Sequence, residues 1–419
     1  MLFTTPFPQL LRVAFLFSSL ASSHHQNAKI LPKPNGPFGV SITTLQLTDP
    51  ARSENPFNLT SPSARRLMIS AITPTRQHQS TWAYPYMPPL TASLSEQEYT
   101  ENYGFPNTTY SDLFLQVTDP QHSNNLEEWP LVLFSPAQGN TRLDYTFLAS
   151  NIASHGFIVI TLDHPYDGDI VEFPDQSYIL GVPPPDSDDE AVQYAYGITL
   201  VDARVADISF VLDSLATLPI TQALFPSSSI SCPLNTSQVA MFGHSLGGSA
   251  IAEAMVNETR IVGGLDIDGI VIGEVAEVGL ERPFMLFGHE NNTRNYDGPD
   301  AEMNVTTQTW AGLWPLLKGW KLELELVGAL HYTFSDFPTV LETLGLKLNA
   351  SEEVTLLSGG DAWIDQHAEE EVGRLLKADR GLEIVVEYVV AFLELVLKGK
   401  ERGVLSGPDE KFPEVVFVN

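Results

Sequence analysis

The chain is expected to be an α/β protein, with a mostly parallel central sheet, helices on both faces and loop insertions. Two observations predict this. From Trp129 onward short apolar runs alternate with helix-like segments, and 43% of the residues are hydrophobic against 18% charged, enough for a large core. The runs are Leu131–Phe134, Phe157–Leu162, Val239–Phe242, Ile261–Ile267, Pro283–Phe287 and Lys321–Val327. The helices between them are Tyr145–Ser154, Asp202–Leu215 and Ser249–Val256.

Ahead of this alternation, Phe38–Leu47 and Arg66–Ile72 read as neighbouring strands joined by a Pro-, Ser- and Asn-rich loop. Residues 75–128 show little periodicity and are read as long surface loops shaping the mouth of a site. The stretch 170–195, with VPPPDSDDE, is read as an excursion near the strand ends. In Lys321–Val327 leucines alternate with Glu323 and Glu325, which predicts a wet face and an edge position. Leu382–Leu397 carries glutamates on one stripe and Leu382, Val385, Val386, Val389, Leu393 and Val396 on the other: an amphipathic helix over a core, with interfacial lipid contact as its second reading. Residues 24–419 are therefore expected to form one domain: N-terminal strands and loops 36–128, a core 129–345 and a helical region 360–419.

Composition excludes several classes. Twenty-two Lys and Arg against 52 Asp and Glu give a net charge of −30, which repels a phosphate backbone and argues against nucleic acid as a partner. A single cysteine, Cys232, excludes an intrachain disulfide and any multi-cysteine zinc or iron–sulfur site. No HExxH or EF-hand pattern occurs, so neither metal nor cofactor is expected. The N-terminus has the order of a secretory signal over residues 1–23, an apolar stretch Leu10–Leu20 ending in Ala21, Ser22 and Ser23. The sequons at Asn58, Asn107, Asn235, Asn257, Asn291, Asn304 and Asn349 exceed the about two or three expected by chance, which also points to an extracellular protein.

The chemical signal lies in Val239–Ala250, VAMFGHSLGGSA, which contains G-x-S-x-G as Gly243, Ser245 and Gly247. An apolar strand precedes it and an Ala-rich helix follows. A tight strand-to-helix turn lifts the serine hydroxyl above the sheet, and glycines remove side chains that would collide there. The same turn puts the Leu246 N–H at a helix N-terminus, suited to developing negative charge. His244 is expected to neighbour the nucleophile without moving a proton.

A serine nucleophile needs a histidine base and a carboxylate to hold its tautomer, here in the chain order Ser, acid, His. Of the histidines after Ser245, His331 follows the last strand-like run and Gly328, where the base belongs. His289 is expected in the site wall, and His367, in DQHAEEE, on the surface. Two positions compete for the acid. Asp268 ends the run RIVGGLDID, where Asp266 would hydrogen-bond backbone, and Glu290 follows the next strand.

At these residues the sequence resembles the plasma-type platelet-activating factor acetylhydrolases, esterases of the α/β-hydrolase fold. WPLVLFSPAQG (129–139) and LASNIASHGFIV (148–159) look like that family's oxyanion-loop strand and the next helix–strand unit. GHSLGG (243–248), GLDID (264–268) and HYTFSDF (331–337) are similar to its nucleophile turn, acid-bearing strand end and histidine stretch. Arg66–Ser70 and Pro85–Pro89 also resemble family segments. The resemblance implies catalysis by Ser245, Asp268 and His331, with backbone N–H groups of Gln138 and Leu246 as the oxyanion donors. It further implies hydrolysis of the sn-2 ester of a phospholipid with a short or oxidised acyl chain, acetyl included, without cofactor; contact with a lipid surface is compatible with that substrate. One departure is Pro136-Ala137, where the family often carries His-Gly; it bears on the acyl pocket more than on a backbone donor at 138. The rival activity is a secreted carboxylesterase or cutinase-like polyester hydrolase with the same triad. A non-catalytic binding module is the rival from another class.

Overall fold

In the computed structural model the described residues are 28–76, 81–106, 108–118, 126–187, 189–226, 230–298, 304–359 and 374–419. The expected signal segment, Asn107 and His367 lie outside them. The strands are β1 (Lys29–Ile30), β2 (Gly39–Ser53), β3 (Ala64–Thr75), β4 (Thr81–Pro85), β5 (Leu113–Thr118), β6 (Leu131–Ser135), β7 (Ile158–Leu162), β8 (Ile170–Glu172), β9 (Tyr178–Leu180), β10 (Val239–His244), β11 (Ile261–Ile267), β12 (Phe284–His289), β13 (Lys321–Leu326) and β14 (Val415–Phe417). The helices are α1 (Pro89–Tyr103), α2 (Thr146–Ala153), α3 (Glu190–Leu215), α4 (Leu218–Leu224), α5 (Leu246–Asn257), α6 (Val275–Val278), α7 (Val305–Leu313), α8 (Phe337–Leu344), α9 (Ala350–Ser358) and α10 (Ala378–Lys398).

A nine-stranded sheet runs β14-β13-β12-β11-β10-β6-β7-β3-β2. Its centre, from β13 to β7, is parallel; β2, β3 and β14 add antiparallel pairs at the two ends. The central strands are apolar throughout because both faces are covered. Along β6, Val132 and Phe134 enter one core with α2 and α10, while Leu131 and Leu133 enter the other with α3, α5 and α7. The strands and helices expected between Trp129 and Val327, and the helix over Leu382–Leu397, are present; residues 360–373 of the expected helical region lie outside the described residues. The apolar stripe of α10, including Ile384, Val385, Val389, Phe392 and Leu393, is buried in the first core. That face is therefore committed to the interior, and the interfacial reading of this helix is set aside. Among the described residues no helix is long and apolar enough to cross a membrane.

Three expectations are corrected. Residues 75–128 are not mainly loop: β4 and β5 join β1 in a second small sheet, and α1 lies between them. Helix α1 hid because its buried positions mix Ala92 with Thr91 and Glu96, and Glu96 is buried only because it accepts the Tyr110 and Ser111 N–H groups. Stretch 170–195 holds the β8–β9 hairpin and the first turns of α3. Strand β13 is not an edge, and its polar face is wet only in part, since Lys321 and Glu325 are half-buried. β14 pairs outside it, and Glu323 is fully buried on an ion pair with Arg294. Alternation alone cannot distinguish a wet carboxylate from a paired one.

The α10 stripe supplies a direct test. Leu393→Ala empties a site of 0% exposure and should cost about 2–5 kcal/mol in urea unfolding; a loss under about 1 kcal/mol would mean the helix is not core.

Candidate active site

Strand β10 delivers Ser245 at φ 55°, ψ −125°, a strained conformation for a residue other than glycine, before α5 begins at Leu246. The sheet holds the turn in place, since the Ser245 N–H donates to Ile267 O at 2.8 Å. The flanking glycines are required by space. A Cβ on Gly243 would lie 2.5 Å from Gly247 C, and one on Gly247 would lie 2.1 Å from Ser135 O. Ser245 is half-buried between buried neighbours, so it is the partly exposed residue of the turn.

Asp268 follows β11 in a left-handed conformation, φ 57°, with its N–H on Phe287 O at 2.9 Å. Its carboxylate is 2% exposed and collects donors. His331 Nδ1 lies 2.6 Å from Oδ2, His289 Nδ1 lies 2.7 Å from both oxygens, and the His289 N–H and Asn292 Nδ2 donate to Oδ1 at 2.9 and 2.7 Å. Burial alone would raise this carboxyl, but the two imidazoles outweigh it and hold Asp268 well below the usual carboxylate range. An ionised carboxylate only accepts, so both imidazoles carry their proton on Nδ1. A neutral His331 then presents Nε2 as its acceptor. His331 lies in a tight turn after β13, and its ring packs on that of His244, centroids 4.4 Å apart. The base candidate therefore sits against the residue that immediately precedes Ser245.

The structure brings Asp268 and His331 together beside the Ser245 turn and sends the rival acid elsewhere. Glu290 accepts the Gly328 N–H at 2.7 Å and pairs with Arg374. Asp266 serves structure, as expected: it accepts from Gly269 N at 3.0 Å and Trp310 Nε1 at 3.3 Å. Burial, and then the charge of Asp268, push its carboxyl well above the ordinary value. His244 is fully buried, with Nδ1 2.8 Å from the Tyr145 hydroxyl; burial and then His331 hold its pKa well below the ordinary imidazole value. Potential ligand atoms of His244, Asp268 and His331 lie within 4.8 Å of one another. Nδ1 of each imidazole already has a partner, Tyr145 for His244 and Asp268 for His331, so only the Nε2 atoms and the carboxylate would be left to hold an ion.

The segments that carry the two expected oxyanion donors are neighbours. Ser135 pairs with Gly243 in register, so the loop leaving β6 runs beside the nucleophile turn and Gln138 lies in it, half-buried. Leu246 is the first residue of α5, and its N–H has no intrahelical acceptor. Beside it, Leu200, Val201 and Ile272, with Tyr196 and Ile198, form an apolar wall. Sequence reasoning missed the role of His289 on Asp268. It depends on β11 and β12 lying in register, Ile267 beside Phe287, which only the paired sheet shows.

The family model for platelet-activating factor acetylhydrolase, isoform II, matches residues 24–172. A protein of Arthroderma benhamiae named as a probable 1-alkyl-2-acetylglycerophosphocholine esterase is 32% identical over 97% of this chain and 98% of its own. The chain belongs to the platelet-activating factor acetylhydrolase family. Acetylhydrolases of that name from Cavia porcellus and Canis lupus familiaris are 23% and 27% identical over 55% and 54% of this chain, and 55% and 53% of theirs. A solved ferulic acid esterase from Streptomyces cinnamoneus superposes with a TM-score of 0.70 at 24% identity, covering 94% of this chain and all of its own; it shows the α/β-hydrolase fold.

A neutral, buried His244 makes acid stability testable. The unfolded chain binds this proton near 6.5, while the folded chain, with its pKa depressed, does not. The stability present above pH 6.5 is therefore lost as pH falls below it, at up to about 1.4 kcal/mol per pH unit. Urea unfolding at pH 7 and pH 5 should show a smaller acid loss for His244→Gln than for wild type. Equal losses would refute a neutral His244.

Proposed function

We propose that the protein is a secreted serine esterase that removes the short sn-2 acyl group, acetyl above all, from 1-alkyl-2-acetylglycerophosphocholine and related phospholipids. The observation that carries this reading is the 2.6 Å bond between His331 Nδ1 and Asp268 beside a strained, glycine-flanked serine. Such a constellation has little purpose except to make the hydroxyl a nucleophile. The substrate follows from the name of the relative that matches nearly the whole chain.

In the mechanism, Ser245 Oγ attacks the ester carbonyl and His331 Nε2 accepts its proton. Asp268 keeps the other ring proton on Nδ1 and stabilises the imidazolium. The Leu246 and Gln138 N–H groups hold the oxyanion, and the alkoxide of the lysolipid leaves with the proton from His331. Water then attacks the acyl-enzyme through the same base and releases acetate. His289 and Asn292 keep Asp268 ionised while the charge on His331 comes and goes. The apolar wall at Leu246 and Ile272 suits a short acyl chain or the adjoining glycerol carbons.

Secretion draws support from the N-terminal segment and from the sequons. Asn58, Asn235, Asn257, Asn291 and Asn349 are exposed, and Asn304 is half-buried at the start of α7. With a large negative charge, the protein would meet zwitterionic choline lipids without repulsion.

Turnover should fall by at least about 10⁴-fold in Ser245→Ala and His331→Ala, and by a smaller factor in Asp268→Asn, with folding intact by circular dichroism. A Ser245→Ala protein retaining a tenth of wild-type activity would exclude the mechanism. Acyl-chain profiling on purified enzyme should favour acetyl phospholipid over long-chain phospholipid and polyester film. Faster polyester turnover would assign the cutinase-like activity instead.

A further inference from the structure

A second Ser–His–Asp array lies behind the nucleophile turn, out of reach of solvent. Ser135 Oγ is 3.0 Å from His164 Nε2, and His164 Nδ1 is 3.0 Å from Asp207 Oδ2, with exposures of 0%, 2% and 0%. The proposed mechanism uses none of these groups. Asp207 is fixed by a two-point contact from Arg65, 2.6 Å on each oxygen, and by Arg52 at 2.8 Å. At the other end of the array stands Arg204 on α3, 1% exposed. Its Nη1 donates to Ser135 Oγ at 3.0 Å and to Pro136 O at 2.5 Å, its Nη2 to Ala137 O at 3.3 Å, and its Nε to Asp167 at 2.6 Å.

The donor directions follow from the two ends. Asp207, paired with Arg65, only accepts, so His164 carries a proton on Nδ1. Burial, and then the charge of Arg204, lower the His164 pKa and favour the imidazole with Nε2 bare. Ser135 Oγ then accepts from Arg204 and gives its proton to His164 Nε2. The array therefore orients one hydroxyl, and that hydroxyl helps to orient one guanidinium.

The guanidinium acts on the loop that carries Gln138. The Ala137 carbonyl and the Gln138 N–H belong to one planar trans peptide and point to opposite sides of it. Holding Ala137 O on Arg204, inside the protein, aims the Gln138 N–H away from Arg204. The neighbouring peptide is pinned as well, by Pro136 O on Arg204 and the Ala137 N–H on the Tyr145 hydroxyl at 3.3 Å. Gly247 lies against Ser135 O and Pro136 O, so the same strand end touches the nucleophile helix.

We propose that Arg204, set by the buried Ser135–His164–Asp207 array, is a positioning residue that aligns the Gln138 N–H as an oxyanion donor. The inference rests on the proposed esterase mechanism with Gln138 as a donor. A preset donor acts on the transition state and little on the bound substrate, and losing one costs about 10²–10³ in turnover. Lysine at 204 retains a charge but cannot span Asp167, Ser135, Pro136 and Ala137 together.

The test compares wild type, Arg204→Lys and Ser135→Ala on acetyl phospholipid, with kcat expressed per site titrated by a fluorophosphonate, and Ser245→Ala, which should not be titrated, per mole of protein. We expect Arg204→Lys to lose about 10²-fold in kcat per titrated site with KM changed less than about threefold. We expect Ser135→Ala to lose about tenfold. Affinity for a trifluoromethyl ketone, which adds to the serine and forms an oxyanion, should fall by the same factor as kcat/KM. A merely structural Arg204 would lower the number of titratable sites and leave kcat per site alone; that result overturns the proposal. Should Arg204→Lys yield no titratable sites, Ser135→Ala decides: wild-type kcat per site overturns the proposal, and a clear loss supports it. Turnover retained by Ser245→Ala would instead sink the esterase mechanism itself.

Discussion

A carboxylate buried beside a strained turn must be supplied with donors or it will take up a proton, and the candidate site depends on how Asp268 meets that requirement. Two imidazoles, a backbone N–H and an amide converge on it from the ends of β12 and β13 and the loop after β12. Held ionised, it fixes the proton on Nδ1 of His331, and that leaves Nε2 as the nitrogen able to accept a proton from the proposed nucleophile. The neighbouring Asp266 shows the alternative. Equally buried, and among the described residues accepting from a backbone N–H and an indole N–H, it is pushed up by burial and then by the charge of Asp268, and it ties the turn to α7 through Trp310. Two residues apart, the same side chain is shifted in opposite directions because its neighbours differ.

The two Ser–His–Asp arrays make a similar comparison. In both, a histidine turns its Nδ1 to an aspartate, yet Ser135 has an arginine on its oxygen and is fully buried, while Ser245 is half-buried at the start of a helix. Chemistry at a serine needs access and an oxyanion donor as well as a base. The buried array has the base-like histidine without the access, so its ordering can serve only structure, fixing directions instead of breaking bonds.

How much of this was legible in the sequence depended on whether the signal was local. The central strands were legible because continuous apolar runs of four to seven residues have one physical explanation in an α/β chain, burial on both faces. Ser245 was legible because its turn needs glycines at fixed offsets. Asp268 was legible only as one of two candidates, since the choice against Glu290 depends on where the β12 loop turns, and Glu290 is drawn to Gly328 and Arg374. Elements with charged residues inside were lost. Glu96 in α1 and Glu323 in β13 are buried because of partners 14 and 29 residues away in sequence. His289 and Arg204 were missed for the same reason, as each acts on a residue that only sheet register or helix packing brings near.

The departure at Pro136-Ala137 takes on a definite meaning in this setting. Proline has no N–H to give, and the Ala137 methyl is buried, so neither side chain reaches a substrate by polar contact. What the loop offers Arg204 is two successive carbonyls, and any residue supplies those. Replacing a histidine–glycine pair by proline–alanine therefore leaves the backbone N–H of 138, the proposed donor, in place, while narrowing the φ freedom of the peptide that precedes it. A stiffer loop clamped by a buried guanidinium is a preorganised one, and preorganisation is what a backbone oxyanion donor requires, because it must already face the charge when the charge appears.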